Sequence, residues 1–124
     1  MQLSPIDYGA RLSRAGTALE GGAMLVMAQP MAYRNSTVEH AWRQDGTFFY
    51  LTGFEEPEAA LLVLPFKAEG ERHVLFLRDK DPERELWDGR RLGIAEAKRR
   101  LKIDQAYPFS TLWDKLPDLL GDAN

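Results

Sequence analysis

The 124-residue chain has no cysteine. That excludes disulfides, thiolate catalysis and cysteine-held zinc, and it suits a reducing cytoplasm, where the protein is expected. Only two histidines occur, His40 and His73, and they form no HExxH pair. No run of 18 apolar residues exists, so no membrane span is expected. The first residues lack a charged segment followed by an apolar core, so no signal peptide is expected. A GxSxG elbow and a Walker A loop are also missing, and Gly89 and Gly93 with the arginines between them make no GxGxxG fingerprint. The net charge is −3; residues 78–102 carry nine basic and six acidic side chains, net +3, which leaves −6 elsewhere. This asymmetry is too mild for a basic nucleic-acid face, and no nucleic-acid partner is expected.

What remains is patterned for one ordinary domain. Ser4-Pro5 is suited to open a helix, with apolar positions at Ile6, Ala10, Leu12, Ala15, Ala18 and Leu19 and a stop at Gly21-Gly22. The apolar run 23–28 predicts a buried strand ended by Pro30. Residues 31–47 show no periodicity, and the aromatic cluster Phe48 to Leu51 is left unassigned. The runs 59–64 and 73–77 predict a hairpin across a glycine-containing polar turn. Asp81-Pro82 begins a short helix over 83–87, and a second helix covers 94–101. A short strand at 105–107 precedes a final helix from Ser110, with Leu112, Trp113, Leu116, Leu119 and Leu120 on its apolar side and an interruption at Pro117. The sum is an α/β fold: a mixed β-sheet flanked by helices.

The polar residues do not assemble a complete active site. Asp79 and Asp81 flank Lys80, and Glu55, Glu56 and Glu58 lie close together. Such carboxylates can bind metal or act as acid and base; solvating turns and capping helices, as Asp81 does before Pro82, is the simpler reading here because no third ligand set supports them. His73 at a strand start reads as structural or solvent-facing. Arg43 reads as an internal anchor for an irregular loop, whose buried backbone needs donors. Phe48, Phe49, Tyr50 and Phe54 read as core, Trp42 and Trp113 as packing, and Gly53 as demanded by turn geometry. Arg90 and Arg91 can grip a partner carboxylate or a peptide terminus, or pair with Asp88 or Glu85 on their own chain. On the bare sequence Trp87 reads as core. No catalytic residue and no metal ligand is assigned.

Three stretches carry a resemblance: residues 43–59, RQDGTFFYLTGFEEPEA; residues 73–78, HVLFLR; and residues 85–93, ELWDGRRLG. In this order and spacing they resemble the N-terminal domain of the Xaa-Pro aminopeptidases, in the creatinase/prolidase ("pita-bread") family. The resemblance covers nearly the whole chain and implies a creatinase/aminopeptidase P N-terminal-like fold. It further implies a two-domain parent whose C-terminal catalytic domain lies outside residues 1–124. There two aspartates, a histidine and two glutamates hold two metal ions, usually manganese, and proline-containing peptides are cleaved. None of those ligands maps onto this chain, which alone is expected to be inactive. In the family the N-terminal domain builds the oligomer and walls a neighbouring subunit's active site, so the implied partners are the catalytic domain and adjacent subunits. The tryptophan of the family's WxGRR motif reaches that site; here it is Trp87, which is then expected to be exposed, with Arg90 and Arg91 beside it. A second family contact, an acidic residue, aligns with Thr37, a departure from the pattern. Two other readings stay open: a stand-alone protein- or peptide-binding module of the same fold, and a prolidase or creatinase relative.

Overall fold

The structure, a computed structural model, describes residues 7–19, 22–30 and 43–121. The positions discussed above at Ser4, Pro5, Ile6, Gly21, Thr37, His40 and Trp42 lie outside the described residues. Four strands form one sheet: β1 (Met24–Met27), β2 (Ala60–Val63), β3 (His73–Leu77) and β4 (Gln105–Pro108). They lie in the order β1-β2-β3-β4; β1 and β3 run antiparallel to β2, and β4 runs parallel to β3. The β2–β3 pair is the expected hairpin, with Leu61 opposite Leu75 and Val63 opposite His73. The parallel fourth strand needs a crossover, supplied by α3 (Pro82–Asp88) and α4 (Ile94–Arg100).

Period-2 alternation splits the sheet between two cores. Leu61, Val63, Leu75 and Leu77 pack on one side with Leu12 of α1 (Tyr8–Ala18), Phe48 and Leu51 of α2 (Gly46–Thr52) and Ala97 of α4. Ala60, Leu62, Val74 and Phe76 pack on the other with Leu112 of α5 (Leu112–Leu120). Burial on both faces is why these strands read as unbroken apolar runs rather than alternating ones. Each fully buried leucine or phenylalanine contributes about 1.5–3 kcal/mol of transfer free energy.

Several helices depart from the sequence expectation. Asp7 caps α1, its Oδ1 accepting from the Ala10 N–H at 3.0 Å. The unassigned aromatic cluster is helix α2. Asp45 caps its start, accepting from the Phe48 N–H at 3.0 Å, and Gly53 ends it in the left-handed region at φ 70°. A Cβ at Gly53 would stand 2.6 Å from Cζ of Tyr8, so turn geometry and close packing both require glycine. Phe48 and Phe54 are buried, but Phe49 and Tyr50 face outward because a seven-residue helix presents only one side to the core. Arg11 lies over the Tyr50 ring at 3.9 Å and donates to the Tyr50 carbonyl. Trp113 is likewise exposed rather than packed. A 3₁₀ turn at Phe109–Thr111 leads into α5, which runs through Pro117 without a break. The leucines at 112, 116, 119 and 120 packed against the sheet offset the hydrogen bond that proline removes.

Arg43 is exposed, and its neighbour Gln44 is the anchor instead. Gln44 Oε1 accepts from the N–H groups of Gln29 (2.8 Å) and Asp45 (2.9 Å), while its Nε2 donates to the carbonyls of Phe54 (3.1 Å) and Glu56 (2.9 Å). A neutral amide, donor and acceptor at once, can serve both kinds of backbone group; a guanidinium can only donate. Gln44→Glu keeps the acceptors but sets a carboxylate against two carbonyls. We expect it to cost about 2 kcal/mol in urea unfolding, with Gln44→Ala costing a similar amount.

Candidate functional site

The residues that the sequence singles out meet at the α3–α4 connection. Asp81 caps α3, accepting from the Arg84 N–H at 3.3 Å, and Pro82 sits in the first turn as expected. Leu86 and Trp87 project from the far end of this short helix, 83 % and 88 % exposed. The exposure expected of Trp87 is therefore present, and the bare-sequence reading of it as core is corrected. Trp87 follows α3 residues whose other side is held to the domain, so it has no core face left to enter.

Glu85 is what holds that side. Its Oε1 accepts from the Arg91 N–H at 2.8 Å and from Lys80 Nζ at 3.3 Å, and its Oε2 accepts from the Asp81 N–H at 3.2 Å. The Arg91 N–H is the chief reason the carboxyl is held below its usual range; Lys80 and Asp81 add to this and partial burial opposes it. The expected pairing of Glu85 with an arginine side chain is thus replaced by a pairing with Lys80 and with backbone.

Glu56 ties the loop to the sheet. One oxygen lies 3.4 Å from Nη2 of Arg78, at the end of β3, and the other accepts from the Leu92 N–H at 2.8 Å. Gly93, at φ 82°, completes the loop; a Cβ there would come within 2.8 Å of Lys80 Cγ.

The two arginines diverge. Arg90 is exposed. Arg91 is 9 % exposed and donates from Nη1 to the Asp79 carbonyl at 3.1 Å. The loop is therefore a fixed platform that presents Trp87 and Arg90 outward and keeps Arg91 inside. Glu56, read from sequence with Glu55 and Glu58 as solvating a turn, is instead tied to Arg78 and the Leu92 N–H; Arg78 was given no role from sequence. The available signal was a charged residue directly after the apolar run 73–77, where a strand end carries it into the core. Among the described residues, no group of three or more His, Cys, Asp or Glu side chains could hold a metal ion. No helix among them is long and apolar enough to cross a membrane.

His73 is structural. Its Nδ1 lies 3.4 Å from Oδ2 of Asp104, which also accepts from the backbone N–H groups of Arg72 and His73 at 3.0 Å. Burial, outweighing the attraction of Asp104 and aided by repulsion from Arg72, holds the imidazole below its ordinary value of 6.5. The unfolded chain therefore takes up a proton at a higher pH than the folded one. Stability from this group is full above pH 6.5 and is lost as pH falls through the folded value. Urea titrations at pH 7 and pH 5 are expected to differ less in His73→Gln than in the parent, by under about 1 kcal/mol because solvent screens a partly exposed group.

A mixed four-stranded sheet between helices, with a pinned α3–α4 connection beside an exposed tryptophan, defines an α/β domain. Residues 8–124 match the family model for the aminopeptidase P N-terminal domain, and the chain belongs to that family. It is 41 % identical over 115 residues to the Xaa-Pro aminopeptidase of Haemophilus influenzae, covering 92 % of this chain and 26 % of that protein. Among solved structures, the Pseudomonas aeruginosa aminopeptidase PepP aligns with a TM-score of 0.77 at 42 % identity, over 97 % of this chain and 27 % of that one. A zinc-substituted Escherichia coli aminopeptidase P in complex with product aligns with a TM-score of 0.75 at 37 % identity, over 94 % and 28 % respectively. The chain thus spans about a quarter of the length of the relatives it matches.

Proposed function

We propose that this chain is the non-catalytic N-terminal domain of an Xaa-Pro aminopeptidase, a cytoplasmic metallopeptidase that releases the first residue of peptides with proline in second place. In this reading the domain contributes to the oligomer and walls the active site of a neighbouring subunit. Trp87 and Arg90 make the contact, and Arg91 positions the loop from within. Two manganese ions belong to the catalytic domain; the described residues of this chain offer no ligand cluster for them, so no step of the hydrolysis is assigned here. The zinc-substituted relative supports a metal in the parent enzyme without choosing which.

The observation that carries the proposal is the pair Leu86 and Trp87, more than four-fifths exposed at the end of α3 beside a connection that is pinned. A large aromatic held in water costs free energy unless it meets a partner, and tryptophan and arginine are the residues that dominate such contacts. The test is hydrolysis of Ala-Pro-Ala with added manganese by this chain alone and by a longer protein carrying it with its catalytic domain. Cleavage by the longer protein alone is expected. If neither cleaves, a binding module of the same fold becomes the better account.

A further inference from the structure

Three guanidinium nitrogens beneath the α3–α4 connection lack an acceptor. Arg78 is 7 % exposed and Arg91 9 %. One nitrogen of each is bonded, to Glu56 and to the Asp79 carbonyl, but Arg78 Nε, Arg78 Nη1 and Arg91 Nε are buried with no partner among the described residues. An unmet buried donor is costly, and more so on a charged group. Glu56 is the carboxylate that meets Arg78, while Glu85 is already occupied by Lys80 and two backbone N–H groups. Among these recorded partners Arg78 therefore has one carboxylate and Arg91 only a backbone carbonyl.

Arg78 and Arg91 line one cavity of about 430 Å³ between the start of α3 and the turn at residues 108–110. Lys80 and Arg84 stand at its rim with mostly exposed side chains. We infer that this cavity binds a carboxylate, most simply the C-terminal carboxylate of a short peptide, on the unmet donors of Arg78 and Arg91. The charge of the ligand follows from the walls. The cavity lining carries four cations, Arg78, Lys80, Arg84 and Arg91, against three carboxylates, Glu58, Asp79 and Asp81, so a singly charged anion suits it better than a dianionic phosphate. Planar guanidinium groups suit a planar carboxylate. The cavity is within the range of small-molecule sites and larger than a bare acetate requires, which favours a carboxylate attached to more chain. The unmet nitrogens are themselves buried, so binding includes a turn of the guanidinium planes toward the cavity while the bond to Glu56 is kept. This site goes beyond the peptidase role above and does not depend on it.

The test reads the arginine Nε–H signals of this chain in ¹H–¹⁵N spectra at pH 7 and constant ionic strength. The signals of Arg78 and Arg91 are identified by their loss in Arg78→Lys and Arg91→Lys. Three probes are titrated: N-acetyl-trialanine with a free C-terminal carboxylate, the same peptide amidated, and sodium acetate. The acid peptide is expected to move both signals saturably and the amide to leave them in place. Arg84→Ala, at the exposed rim where folding is not at risk, is expected to weaken the acid peptide about threefold. Movement with acetate but not with the peptide keeps the carboxylate site and assigns it to small acids. No movement with either acid, or equal movement with the amide, overturns the inference. Because no hydrolysis is read, its failure is distinct from failure of the peptidase reading.

Discussion

Phe48→Ala is expected to destabilise the domain by about 3–5 kcal/mol, the cost of emptying a fully buried aromatic site, whereas Phe49→Ala at the next position is expected to cost less than about 1 kcal/mol. Phe48 is wholly buried between α1, α2 and the sheet, with its ring centroid 6.5 Å from that of Phe54, and Phe49 is more than one-third exposed. A strand with one buried face would also separate neighbours 48 and 49, but it would bury 50 together with 48, whereas α2 leaves Tyr50 about half exposed. Tyr50→Ala is therefore also expected to cost much less than Phe48→Ala. Urea unfolding of the three variants gives the comparison directly: a loss at Tyr50 equal to that at Phe48 would contradict the helix.

The second large effect is expected from Glu56→Ala, at about 3 kcal/mol, because removing one member of a buried ion pair strands the other. Arg78 would then lose its carboxylate partner, and the Leu92 N–H its acceptor. For a domain of this size that is a fall of about 10 °C in melting temperature. Glu55→Ala, one residue earlier on the exposed side, is expected to change stability by less than about 0.5 kcal/mol. The damage should also be local: the amide of Leu92 should exchange with solvent faster in Glu56→Ala even where the β-sheet amides remain protected. A variant that melts at the parent's temperature would remove Glu56 from the account of how the loop is held.

Strands β2 and β3 were legible because burial on both faces leaves a continuous apolar signature, and the runs at 59–64 and 73–77 became these strands within a residue of their expected ends; β1, expected to be buried, is only partly so, with Met27 exposed at its end. Helix α2 was not legible from propensity. Apart from Leu51, its residues, GTFFYLT, are glycine, aromatics and β-branched threonines, all weak helix formers, so tertiary contacts decide its state. Its caps were nevertheless visible, with Asp45 three residues before Phe48 and Gly53 directly after Thr52. Trp113 was misplaced because a helical stripe of leucines does not say how wide the buried side is.

The candidate site divides in the same way. The resemblance over residues 85–93 marked the loop and its exposed tryptophan. It could not supply the supports, because Glu56 contacts Leu92 across 36 positions and Arg78 enters from the end of a strand. Local sequence carries no record of such long-range polar contacts. Arg90 and Arg91 are adjacent and chemically identical, and only the fold separates the exposed one from the buried one.

Trp87→Ala in the longer protein separates a side chain that reaches an active site from one that is merely exposed. The side chain is 88 % exposed, so the melting temperature of the domain should stay unchanged. If Trp87 reaches a neighbouring active site, kcat/KM for Ala-Pro-Ala should fall about tenfold or more, a loss of about 1.4 kcal/mol or more at the transition state. An unchanged kcat/KM with an intact fold would contradict the account, and this loop would then play no part in the reaction.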